Sequence, residues 1–235
     1  MDFKAYLVEE NEGVFSGSIK KIPKPSLEEG KVIIKVNYSS LNYKDALAAT
    51  GVRGIVKSYP FVPGIDLAGE ILESSSSDFD VGDKVLATGY KIGMSEFGGF
   101  GEIVHLPSDW VLKMPSKFTF EKAMSYGTAG LTAAACVKKI VDANIKKSLP
   151  VIVSGSTGGV GSVAVAVLSS LGYEVHAITS KADEEEFLLK IGASKVLLKD
   201  EYMKEPTKPL DKGLYVGAVD VVGGDMLAKI ISMIS

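Results

Sequence analysis

The sequence predicts an α/β protein in two parts, a mostly antiparallel β-barrel over residues 1–124 and a doubly wound parallel sheet over 125–235. Three observations carry this expectation. Up to about Trp110 the chain reads as short β-runs broken by Gly, Pro and Ser, the pattern of irregularly connected antiparallel strands. Beyond Phe118, apolar strands alternate with helix-length segments, which favours parallel pairing. A glycine-rich turn joins the first strand of that second part to its helix. At 46% hydrophobic and 23% charged residues the chain has the balance of a folded protein, which excludes global disorder. Its 26 basic and 29 acidic residues give a formal charge of −3, so no basic excess argues for nucleic acid or a membrane surface, and a small-molecule partner is expected. The single Cys136 cannot form an internal disulfide, and no export signal or membrane span is read from the sequence, so a cytoplasmic protein is expected.

In the first part the β-runs are 31–38 (KVIIKVNY), 66–72, 84–87 and 102–106, with a short helix at 43–49 and an exposed hairpin loop at 74–80 (SSSSDFD). Near Phe118 the pattern changes. Thr119 can cap a first helix, and Gly127-Thr128-Ala129-Gly130 leads into a second that ends near Ala143. Strands are then expected at 151–153, 174–178, 195–198 and 218–222, and helices at 160–171, 183–191 and 225–233, with a Pro-containing loop before the last strand.

The strongest motif is Ser154-Gly155-Ser156-Thr157-Gly158-Gly159-Val160-Gly161, which follows an apolar strand and opens an apolar helix. Its spacing is G-x-x-G-x-x-G. Gly155 allows the tight turn, Gly158 and Gly159 let the main chain approach a pyrophosphate, and Gly161 lets the helix pack on the strand. Amides at the helix start then face the anion, with Thr157 and Val160 in the same turn. The bland alternative is a glycine-rich connection with no ligand. A protein that binds NAD presents Asp or Glu at the end of the second strand, to hold the ribose hydroxyls. Here Thr179-Ser180-Lys181 stand there, and Lys199 follows the third strand. Hydroxyls and cations suit a 2′-phosphate, so NADPH is the expected cofactor.

Further strings narrow the reading: Ser39-Ser40-Leu41-Asn42-Tyr43-Lys44-Asp45-Ala46-Leu47, Pro63-Gly64-Ile65-Asp66-Leu67-Ala68-Gly69, Gly127-Thr128-Ala129-Gly130 and Gly192-Ala193-Ser194. Together with the glycine turn and along the whole chain, they resemble the medium-chain dehydrogenase/reductase superfamily, in particular its zinc-free quinone oxidoreductases of the acryloyl-CoA reductase type. The resemblance implies a GroES-like domain followed by a Rossmann NADP-binding domain, homodimers for full-length members, and hydride addition to an activated C=C bond of a thioester, enone or quinone. It also implies a cofactor contact for Tyr43 and one for Thr128. Tyr43, Asn42 and Asp45 are the catalytic candidates, with a Lys44–Asp45 ion pair capping the short helix as the structural alternative. A non-catalytic NADPH-binding sensor on the same fold is the alternative function.

Zinc-dependent relatives carry Cys where Asn42 or Tyr43 stands, and Gly-His-Glu near Gly64-Ile65-Asp66. With one Cys and two His in the chain, no metal is expected. His105 and His176 fall inside strands, Cys136 reads as a small buried thiol, and Asp66 as a structural anchor. The loop 89–101 replaces the zinc lobe, and its Tyr90, Phe97 and Phe100 either line a substrate entrance or pack the loop down. No basic cluster for coenzyme A stands out. Strands five and six of the second sheet are missing from the sequence, so the expectation is an incomplete sheet that leaves its fourth strand open and exposes the apolar face of the 226–234 segment (MLAKIISMI).

Overall fold

The computed structural model describes residues 1–145, 147–204 and 213–235. They form two compact units, Met1–Thr128 and Ala129–Ser235, so the division falls a few residues after the expected Met124. The expected Pro-containing loop lies largely outside the described residues.

The first unit opens with a hairpin absent from the sequence reading, β1 (Asp2–Asn11) and β2 (Val14–Pro23), paired along their whole lengths. Glu12 and Gly13 both take positive φ, 51° and 82°, which matches the twist of a two-residue hairpin turn. Nearly all of β2 is exposed, so it carries no apolar alternation to betray it. There follow β3 (Lys31–Tyr38), α1 (Tyr43–Ala49), β4 (Asp66–Ser74), β5 (Lys84–Thr88), β6 (Ile103–Pro107) and β7 (Leu112–Lys113). The last five strands make an antiparallel sheet in the order β6-β3-β4-β5-β7. Alternation along β3, β4 and β6 sends Val32, Ile34, Leu67, Ile71, Val104 and Leu106 into one core. Each such side chain, fully buried, contributes roughly 1.5–3 kcal/mol.

The helix α2 (Phe120–Asp142) is broken at Gly127, where φ is 48° and ψ −149°. Thr119 caps its start as expected, its hydroxyl accepting from the Lys122 amide at 3.1 Å. Before the break, Ala123 and Met124 pack on Ala68 of the antiparallel sheet. After it, Ala133, Val137 and Ile140 belong to the core of the second unit.

That unit holds β8 (Val151–Val153), α3 (Gly159–Ser170), β9 (Val175–Thr179), α4 (Glu185–Lys190), β10 (Lys195–Leu198), α5 (Lys199–Lys204), β11 (Gly217–Val219) and α6 (Gly224–Ser232). The strands are parallel in the order β10-β9-β8-β11. Successive residues of β8 and β9 point to opposite faces. Val151, Val153, Val175 and Ala177 meet α2, α3 and α4, while Ile152 and Ile178 meet α5 and α6. The helix α5 is a correction, since it starts at Lys199 directly after β10 where a loop is expected. A second correction concerns α6. Met226 and Ile230 on this helix, and Met233 just after it, are buried against the sheet, so the expected exposed apolar face is largely covered, with Ile231 left 62% exposed. No described helix is long and apolar enough to cross a membrane.

Burial holds the imidazoles of both His105 and His176 below their ordinary value of 6.5. The unfolded chain therefore binds more protons than the folded one, and the stability these residues contribute is present above that value and lost as pH falls through it. The urea midpoint is expected to drop between about pH 7.5 and about pH 5.5, and a His105→Gln, His176→Gln double variant to flatten that slope. An unchanged slope in the double variant contradicts this reading.

Candidate functional site

Within the first unit, Asn42 and Thr128, two of the residues expected at the site, converge on the Asp66 carboxylate at the start of β4, which is fully buried. Its Oδ2 accepts from the Asn42 Nδ2 at 2.8 Å and the Thr128 amide at 2.9 Å. Its Oδ1 accepts from the Thr128 hydroxyl at 2.6 Å and from the Thr88 hydroxyl at the end of β5. The carboxylate is therefore held by four donors from three separate stretches of chain, which offsets the cost of burying its charge. The break in α2 follows from the same contact. A Cβ on Gly127 would stand 2.5 Å from Asp66 Oδ2 and 2.4 Å from Ser40 Oγ, so only glycine lets the Thr128 amide reach the carboxylate.

Asp45, in the first turn of α1, is 1% exposed. Its two oxygens accept from the Asn42 amide at 2.7 Å and the Ile65 amide at 2.9 Å, and burial pushes its pKa up from the usual carboxylate value. This corrects one expectation: no Lys44–Asp45 ion pair forms among the described residues, and the Asp45 carboxylate caps α1 and tethers the 63–66 strand entry. Asn42 and Thr128 likewise have a donor committed to Asp66. Tyr43 differs: it opens α1, is 80% exposed, and makes no hydrogen bond to any described residue.

In the second unit the glycine turn has the geometry its spacing predicts. Gly155 takes φ 58°, and a Cβ there would meet Val221 Cγ2 at 2.6 Å. A Cβ on Gly161 would meet the Gly155 carbonyl oxygen at 2.3 Å, which is why the first turn of α3 lies so close to the strand end. Gly158 caps α3, and it and Gly159 are exposed. The first-turn amides of α3, Gly159, Val160 and Gly161, have no partner within the helix and are available to an anion. Ser156 is buried and ties the turn to β8 by donating to the Val153 carbonyl at 2.8 Å.

Beside this turn lies a cavity of about 120 Å³ lined by Gly155, Thr157, Thr179, Ser180, Lys199 and Val222, among others. The Thr157 and Thr179 hydroxyl oxygens are 3.4 Å apart. Lys199 reaches the cavity because α5 begins there. Lys181 does not line it; its amide donates to Thr179 Oγ1 at 3.0 Å and its side chain is exposed. Sequence reasoning missed Val222 and Asp220. Asp220 accepts from Ser154 Oγ at 2.5 Å and from the Gly223 amide at 2.8 Å, and so holds the 220–223 segment over Gly155. An acid directly after an apolar strand was the available signal.

A metal finds little to bind. Ile65 stands in the Gly-Ile-Asp string, the oxygens of Asp45 and Asp66 are filled by donors, and among the described residues no group of three or more His, Cys, Asp or Glu side chains lies together. Cys136 is a half-buried free thiol on α2, packed against the core of the second unit.

An antiparallel sheet carrying this acid network, followed by a parallel sheet with a phosphate-type turn, defines a nucleotide-dependent oxidoreductase fold in two units. Residues 28–116 match the alcohol dehydrogenase GroES-like domain family. The chain is 38% identical over 232 residues to the acrylyl-CoA reductase AcuI of Ruegeria pomeroyi, covering 97% of this chain and 70% of that protein. Among solved structures, the yhdH oxidoreductase of Salmonella enterica in complex with NADP aligns with a TM-score of 0.92 at 39% identity, covering 99% of this chain and 71% of that one. Bacillus subtilis yhfP with NAD bound aligns with a TM-score of 0.94 at 39% identity, covering 100% of this chain and 72% of that one. The chain belongs to the medium-chain dehydrogenase/reductase superfamily.

Asp66→Asn puts an amide N–H where a buried acceptor is required. It is expected to cost about 1–3 kcal/mol for each donor left unsatisfied, read as a lower urea midpoint. Thr88→Val, which removes one of four donors, should cost less. Equal stability of Asp66→Asn and the parent would contradict the role given to this carboxylate.

Proposed function

We propose that the protein is an NADPH-dependent, metal-independent oxidoreductase that adds hydride to an activated C=C bond, with an acryloyl-CoA-like thioester as its substrate class. The observation that carries this is the cavity beside the glycine turn, lined by Thr157, Thr179, Ser180 and Lys199 with no carboxylate among its lining residues, which suits a nucleotide's adenosine end. The turn fits the cofactor because Gly155 and Gly161 admit no Cβ without collision and the first amides of α3 are left open. Those amides would hold the pyrophosphate, and Lys199 with the Thr179 and Ser180 hydroxyls would hold a 2′-phosphate. NADPH, when bound, supplies the hydride.

The protein's own task is then to hold substrate charge. Reduction places negative charge on the carbonyl oxygen of the thioester, and a hydrogen-bond donor there lowers the barrier. Tyr43 is our candidate donor, since its hydroxyl is exposed and uncommitted. Asn42 is assigned a supporting role: its amide, fixed by Asp66, orients the start of α1 and with it Tyr43. Asp66 acts through these neighbours as a positioning residue.

NADPH is expected to bind more tightly than NADH at equal ionic strength. Lys199→Ala should weaken NADPH by about 1–3 kcal/mol while leaving NADH nearly unchanged, with a smaller effect for Lys181→Ala. Equal affinities for the two cofactors would sink the assignment. Turnover, followed as NADPH oxidation with acryloyl-CoA or a quinone, is expected to survive a chelator, and Tyr43→Phe to lower it by about tenfold or more. Activity lost to chelation and restored by zinc would refute the metal-independent reading.

A further inference from the structure

A third cluster belongs to neither the acid network nor the glycine turn. In the first unit, the chain after α1 and the turn at 91–97 enclose a cavity of about 190 Å³. Three polar side chains line it, Lys57, Ser58 and Ser95, and none of them makes a hydrogen bond or ion pair with any described residue. All three are exposed to solvent. The opposite wall is apolar. Met94 lines it, and the rings of Phe61 and Phe97 meet edge to face at 5.4 Å, with Phe97 41% exposed.

The walls are fixed by backbone bonds. Phe61 exchanges two hydrogen bonds with Val8 of β1, at 2.9 and 2.8 Å. The amides of Met94, Ser95 and Glu96 all donate to the Lys91 carbonyl, at 3.1, 3.0 and 3.2 Å, and the Gly93 amide donates to the Glu96 carbonyl at 2.9 Å. A cation and two hydroxyls without partners among the described residues match a phosphate, and an open aromatic ring matches a flat base. Ligand cavities typically span about 300–1,000 Å³, so this one takes an end of a large ligand and not the whole.

We propose that this cavity is a subsite for the phosphoadenosine end of a coenzyme A thioester, with Lys57, Ser58 and Ser95 on its 3′-phosphate and Phe97 against the adenine. The proposal rests on the thioester reading above and adds the residues that recognise the carrier. One cation and two hydroxyls are brought together here from two stretches of chain, 57–58 and 95.

Calorimetric titration of coenzyme A into the protein saturated with NADP⁺, so that the glycine turn is occupied, tests it. Coenzyme A is expected to bind, dephospho-coenzyme A to bind more weakly, and Lys57→Glu to weaken coenzyme A by about tenfold or more. Ser95→Ala should weaken it a few-fold. Lys21→Glu, the same charge change on the exposed face of β2, should leave it unaltered, and unchanged melting temperatures show that the variants fold. Equal affinity of the parent and Lys57→Glu for coenzyme A overturns the subsite, whether or not acryloyl-CoA is reduced. Binding that depends on Lys57 without reduction of acryloyl-CoA upholds the subsite and overturns the thioester reaction. Absence of both overturns both.

Discussion

A carboxylate without solvent has to be surrounded by donors, and in this protein that requirement organises the first unit. Asp66 reaches Asn42 ahead of α1, Thr88 at the end of β5, and Thr128 after the break in α2. Removing any one of those stretches would leave part of a buried charge unanswered, so the network fixes three loop ends to the start of one strand. The glycine at position 127 and the helix break are consequences of it. Tyr43, whose side chain is exposed and without a hydrogen-bond partner among the described residues while Asn42 and Asp45 on either side of the Tyr43-Lys44 pair are tied down, is presented by this scaffold.

The second unit solves a different problem, how to bring main chain up to an anion. There the constraint is steric. The Gly155 carbonyl lies where a Cβ of residue 161 would be, and Val221 lies where a Cβ of residue 155 would be. Ser154 and Asp220 hold the neighbouring strand ends in place by a hydrogen bond of 2.5 Å, so that the glycines have something rigid to close against. Beside this turn β9 ends in hydroxyls, followed by a lysine from the next strand's end, and it is to these groups that the proposal assigns the choice between cofactors.

Much of this was legible in the sequence where local pattern and global role agree. The ranges of β3, α1 and β10 were readable from alternation, length and punctuation alone, and the glycine turn from its spacing. The first hairpin was not, because an exposed strand has no apolar period and its Glu-Gly turn is a weaker signal than Asn-Gly. The site was legible as a set of residue types and less so as roles. Asn42, Asp45 and Thr128 are polar residues in two of the quoted strings, and only the geometry shows that their hydrogen bonds point at Asp66 or at backbone amides. Lys181 and Lys199 look equivalent on paper. The start of α5 brings Lys199 to the cavity, and the 179–181 backbone turns Lys181 away from its lining.

The central claim is that hydride passes to the β-carbon of an activated double bond with no metal involved. Mass spectrometry of the product formed from acryloyl-CoA and NADPH deuterated at the transferable C4 position tests it most directly. The account predicts one deuterium per product, carried on C3 of the propionyl group, with the C2 proton drawn from solvent. Deuterium on C2, or a reduced product carrying none, would contradict it.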